Sequence, residues 1–136
     1  MASRPNKNVI LLPIFPKYAE AIFEGKKKVE FRKLNIPQDI SHVVVYSTAP
    51  TQRIVGYFEV REITRASPKI LWNLFNKVGG IEKELLMEYY SGHDLGVAIH
   101  VGESIRLRTP IQLSLIENEL TPRSLSNTLM MIILIE

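Results

Sequence analysis

The sequence predicts an α+β fold: a small mixed barrel with helices packed on its outside. Strand-like apolar and alternating runs occupy the two ends of the chain, while helical periodicities occupy its middle. Connections of hairpin length outnumber crossovers, which disfavours a parallel βαβ architecture. The 136 residues, 46% hydrophobic and 23% charged, suit one globular domain over residues 1–136 with a real core and no room for a second.

The first expected element is a buried strand over Asn8 to Leu12, after which Pro13 and Pro16 break the chain. Pro16 suits the first position of a helix, where its missing donor is harmless. Tyr18, Ala19, Ile22 and Phe23 form one apolar face at helical spacing, and Gly25 suits the left-handed position that closes the helix. A strand follows, ending near Lys33, and Asn35 to Ser41 with Pro37 reads as a loop.

His42 to Thr48 and Gln52 to Thr64 read as two strands of a hairpin joined by Ala49-Pro50-Thr51. Ser67-Pro68 is a good helix start, and Ile70, Leu71, Leu74, Phe75 and Val78 carry an apolar stripe to Gly79-Gly80. A second short helix is expected from Ile81 to Tyr90, ending at Gly92. Leu95 to Val101, Ser104 to Arg108 and Ile111 to Leu115 supply further strands, with Gly102-Glu103 and Thr109-Pro110 as interruptions.

Several classes of function are disfavoured by composition. Without cysteine there are no disulfides, Cys-ligated zinc or thiol nucleophiles, in keeping with a reducing compartment. His42, His93 and His100 lack the close pairing of common metal sites, so neither a metal nor a cofactor is expected. Met1 to Asn8 is polar, with no signal-peptide core, and the cytoplasm is the expected location. Leu129 to Ile135 is wholly apolar but well short of the roughly 18 to 20 residues that span a bilayer. A buried terminal strand or a homodimer contact is expected of it, not a membrane span.

The stretch richest in chemistry is Gly25 to Arg32. A strand here buries Val29 and Phe31 and presents Lys28, Glu30 and Arg32 together on the opposite face. A carboxylate beside a guanidinium accepts from an amine or purine edge while the guanidinium binds phosphate or carbonyl oxygen. A solvated surface has the same pattern. The net charge of +3 demands no nucleic acid, but Lys26 to Lys33 holds five cations against one acid, a pattern that also serves to protect a strand edge. Lys27 lies three positions before Glu30, so the two converge only if the strand is irregular or begins after Lys27.

The pattern Gly25-x-Lys27-x-x-Glu30-x-Arg32, preceded by the helical Pro16-Lys17-Tyr18-Ala19-Glu20-Ala21-Ile22, resembles the signature of the ASCH family. The likeness continues in order through Val45-Tyr46-Ser47-Thr48-Ala49-Pro50, Ile54-Val55-Gly56-Tyr57-Phe58, Glu88-Tyr89-Tyr90-Ser91-Gly92 and Gly96-Val97-Ala98-Ile99. It implies a PUA-like barrel whose cleft lies between the first helix and the strand ends, with Lys27 facing that cleft.

Some members of the family are hydrolases of an acylated cytidine whose threonine nucleophile stands where this chain has Glu30. That mechanism does not transfer intact, because the hydroxyl is missing. The chain also departs from many relatives at Pro13 and Phe15, and at Thr121-Pro122-Arg123-Ser124.

The leading expectation is a module that binds RNA or a nucleotide-like small molecule. Glu30 would read a base, Lys17, Lys27, Lys28 and Arg32 would hold the backbone, and Tyr57, Tyr89 or Tyr90 would stack, though each tyrosine also suits a half-buried core. The alternative is a hydrolase acting on a modified nucleoside or on RNA, with Glu30 as general base and Lys27 stabilising the oxyanion. A third is a protein-interaction or regulatory module using the barrel surface or the apolar tail.

Overall fold

A computed structural model describes residues 8–33 and 36–114. Five strands form one sheet in the order β1-β3-β4-β5-β2: β1 is Asn8–Ile14, β2 Val29–Arg32, β3 Ile40–Ser47, β4 Arg53–Ala66 and β5 Gly96–Ile111. The pairs are antiparallel except β1 with β3. Strand pairing leaves β1 and β2 as edges, so the α+β class stands and the sheet is not closed into the expected barrel. The helices among the described residues are α1 (Pro16–Phe23), α2 (Pro68–Phe75) and α3 (Lys83–Tyr89).

Strand β1 runs through Pro13, which is tolerated because β1 is an edge and pairs only with β3. Pro16 opens α1, and Gly25 ends that turn at φ +78° as its sequence position suggests. The hairpin of β3 and β4 forms with an Ala49-Pro50 cis bond in its turn. Expected breaks at Gly102-Glu103 and Thr109-Pro110 are absent: β5 is one long strand. Beyond His100 its pairing with β2 has ended, leaving one side on which a missing proline donor breaks no ladder bond.

The sheet is covered on two faces. Helix α1 packs through Ala19 and Ile22 onto Leu12, Val43, Val45, Phe58 and Ile99. On the other face α2 and α3 bury Val29, Phe31, Leu71, Leu86, Tyr90 and Ala98. Consequently both sides of β2 are buried. Val29 and Phe31 face α2 and α3, while Glu30 pairs across from Ile99 and Arg32 from Val97, whose side chains belong to the α1 core.

The stripe expected of α2 is narrower than its spacing suggested. Ser67 caps the helix by accepting from the Ile70 N–H, and Leu71 is fully buried, but Ile70 and Leu74 are exposed. The short helix turns only one edge towards α3 and the sheet. Equal-looking positions therefore carry unequal energies. Leu71→Ala, at 0% exposure, is expected to lower unfolding free energy by about 3 kcal/mol. Ile70→Ala, at 50% exposure, should cost less than about 0.5 kcal/mol in the same urea titration. The expected apolar tail and the Thr121 to Ser124 segment lie outside the described residues.

Candidate functional site

The open edges of the sheet meet across a side chain. Arg32 on β2 donates from Nη1 to the Pro13 carbonyl of β1 at 3.0 Å and lies 3.4 Å from Glu30 Oε2. Between these edges, α1 and α3 enclose a cavity of about 410 Å³. Its walls are mainly apolar and aromatic, including Phe15, Tyr18, Phe31, Ile81, Leu85 and Tyr89. Lys27, Glu30, Arg32 and Thr48 are its polar groups.

Strand β2 begins only at Val29, so Lys27 precedes the regular pleat and turns to the side of Glu30. The parity conflict disappears there. Lys27, 2% exposed, lies 3.7 Å from Glu30 Oε1 and donates to the Gly79 carbonyl. Its ammonium also lies 5.1 Å from the Tyr18 ring centroid and 5.2 Å from that of Phe31. Gly79 is needed for this approach, because a Cβ there would come within 2.7 Å of the Phe31 ring. Gly79-Gly80 therefore does more than end α2: it brings a carbonyl to the buried lysine.

The two tyrosines at the end of α3, Tyr89 in its last turn and Tyr90 as its C-cap, divide their tasks. Tyr89 lines the cavity, its hydroxyl accepts from the Lys33 N–H at 3.1 Å, and the Lys33 ammonium sits 4.5 Å from its ring centroid. Tyr90 is 2% exposed and donates to the Arg32 carbonyl at 3.0 Å, with the Val97 carbonyl at 3.3 Å. It fixes the β2 backbone from the core, contrary to the expectation of a stacking ring. Tyr57 belongs to the apolar cluster around Val44 and Ile54, edge-on to His42 at 6.2 Å, and is not a cavity wall.

Of the expected cations, Lys27 and Arg32 enter the cavity, and Lys17 lines a neighbouring depression. Lys28 is exposed and engaged through its backbone, donating to Val78 and accepting from Val101. It is absent from the cavity wall because Lys27, one residue earlier, takes the inward position.

Sequence reasoning missed Phe15, Tyr18, Phe31 and Thr48 as site residues. Their apolar spacing or turn position suggested packing, and nothing in either marks a cavity. Arg32 Nε and Thr48 Oγ1 are the buried side-chain polar atoms without a hydrogen-bond partner among the described residues, and both residues border this cavity. No group of three His, Asp or Glu side chains among the described residues is placed to hold a metal ion.

Burial raises the Glu30 carboxyl above the ordinary range, although Lys27 and Arg32 pull it down. Burial likewise lowers Lys27, against the pull of Glu30. In both groups the loss of water outweighs the attraction of the partner. The hydroxyls of Tyr18 and Tyr89 are raised for the same reason.

A carboxyl raised in the folded state contributes stability that is fully present below its unfolded value near 4.5 and is lost as pH rises through the folded value. Glutamine keeps the shape of the neutral acid and does not titrate. The melting temperature of Glu30→Gln relative to wild type is thus expected to rise over the pH interval that begins at the ordinary carboxyl value of 4.5 and extends upward. A relative value that falls over that interval would show the cations winning over burial.

Residues 12–99 match the model of the ASCH domain, and the chain belongs to the ASCH domain family. An "ASCH domain-containing ribonuclease" of Zymomonas mobilis is 25% identical over 114 residues, covering 83% of this chain and 76% of that protein. The large ribosomal subunit protein uL22 of Ureaplasma parvum serovar 3 is 29% identical over 106 residues. That match covers 77% of this chain but only 34% of the ribosomal protein. Among solved structures, ASCH from Zymomonas mobilis superimposes with TM-score 0.75 at 24% identity, covering 86% of this chain and 84% of the other. A serine-to-alanine variant of that protein gives 0.81 at 21% identity, covering 95% and 99%. At these identities the structures establish a shared fold. Among the described residues no helix is long and apolar enough to cross a membrane.

Proposed function

We propose that this protein is an RNA-binding ASCH domain over residues 1–136 that acts in the cytoplasm and takes one unstacked base of a single strand into the cavity between β1 and β2. The observation that supports the reading is a cavity walled by aromatic rings whose polar lining is Lys27, Glu30, Arg32 and Thr48. Its volume lies in the range of small-ligand sites, which are mostly apolar with a few placed polar groups. Tyr18, Phe31 and Tyr89 offer ring surface to a flat heterocycle. Glu30 meets an amino or ring N–H edge, while Arg32 and Thr48 meet a carbonyl oxygen. The ribonuclease named among the relatives supports RNA as the source of that base.

Arg32→Ala and Thr48→Val each remove one of these groups. Each is expected to weaken binding of a short single-stranded RNA by about tenfold or more, read by fluorescence anisotropy. Affinity unchanged in both variants, with the fold intact by circular dichroism, would end the reading.

A second reading, RNA cleavage, is favoured by the opposed shifts of Lys27 and Glu30, which bring a carboxyl and an ammonium towards a common proton affinity. Glu30 takes the proton of a ribose 2′-hydroxyl as its oxygen attacks the adjacent phosphorus. The bond to the 5′-oxygen breaks, and Lys27 protonates that leaving oxygen, yielding a cyclic phosphate and a 5′-hydroxyl. Glu30→Gln is then expected to slow product formation at least about a hundredfold. Unaltered turnover in this variant would exclude the carboxyl as the base.

A further inference from the structure

The cations expected to hold a nucleic-acid backbone are the ones the fold has turned inward. Lys27 is committed to Gly79 and Glu30, and Arg32 to Pro13 and Glu30, so the electrostatic attraction of a phosphate chain has to come from elsewhere. Beside the cavity lies a second depression of about 300 Å³. It is lined by Lys17, Lys26 and Lys77, all exposed, from α1, the turn after it and the turn after α2. Opposing charge comes from Glu82 in its wall and from an exposed Glu24 lying 3.4 Å from Lys26. The two concavities are contiguous: Tyr18, Ile81 and Leu85 line both.

We propose that this lysine-lined depression is the phosphate track of the RNA site, holding the sugar-phosphate of the strand whose base occupies the cavity. The inference rests on the RNA reading above and extends it from a base pocket to a site for an oligonucleotide.

Three features favour a nucleic-acid backbone over a lone anion. The lysines come from three separate segments and line one open depression, instead of converging behind a buried donor. They stay solvated, which suits contacts that act by counterion release. The surface also begins at the aromatic wall of the base cavity, so a chain leaving the cavity past Tyr18 meets cations immediately. Lys17 lies 5.9 Å from the Tyr18 ring centroid, joining the two parts. A free nucleoside would use the cavity alone, whereas a single strand would use both.

The test compares a labelled single-stranded octaribonucleotide with the unmodified nucleosides, using wild type, Lys26→Gln/Lys77→Gln and Glu30→Gln. Anisotropy is read for the oligonucleotide across a salt series, and thermal shift for the nucleosides. The double lysine variant is expected to flatten the log–log salt slope by about 1.4, about 0.7 for each phosphate contact on a single strand. Nucleoside-induced thermal shifts should not change in it. An unchanged slope, with oligonucleotide binding still lost in Glu30→Gln, overturns the track and leaves the base cavity standing. A flattened slope with full oligonucleotide affinity in Glu30→Gln supports the track and overturns the base reading. Wild type that fails to bind the octaribonucleotide overturns both.

Discussion

Removal of water from Lys27, Glu30 and Arg32 is the constraint on which the rest of this structure depends. Three charged groups in one small space are tolerated only when each finds compensating partners, and every neighbouring element contributes one. The turn after α2 supplies the Gly79 carbonyl, β1 the Pro13 carbonyl, and α1 the Tyr18 ring. Helix α3 supplies the tyrosines that hold the end of β2 through the Arg32 carbonyl and the Lys33 amide. The site is therefore a means of joining the sheet's two edges as well as a feature lying between them. An interaction made through Arg32 reaches across the gap that strand pairing leaves open.

This arrangement explains why burial, and not attraction, sets the protonation of the group. An exposed ion pair would lower a carboxyl and raise an amine; here both move the other way. Lys27 and Glu30, with their ordinary proton affinities shifted towards each other by burial, border the cavity together with Arg32 and Thr48. The lysines of the neighbouring depression stay exposed, so the buried and the solvated cations form two physically distinct groups.

Much of the fold is legible in the sequence because its signals are local. Pro16 at the first turn, Gly25 at positive φ and Ser67 as a cap each act within a few residues, and each is found where expected. The errors share a different cause. Gly102 and Pro110 were expected to break β5, and Ile70 and Leu74 to pack; both outcomes depend on which neighbours a strand or helix has, a property not written in its own segment. The tyrosines show the same limit. Tyr89 and Tyr90 are adjacent in sequence, yet one faces a cavity and the other is buried beneath β2, because the helix ends between them and Tyr90 is its C-cap.

The candidate site was legible in its charged residues and hidden in its walls. Charged side chains are conspicuous in a strand, so Lys27, Glu30 and Arg32 stood out, whereas Tyr18 and Phe31 looked like ordinary core. A cavity wall and a core position differ only in whether the space beyond is filled, and spacing carries no information about that. The departures of this chain from many of its relatives gain meaning in the same way. Pro13 and Phe15, which depart from the pattern the sequence resembles, lie on the cavity wall and add apolar surface beside its charged groups.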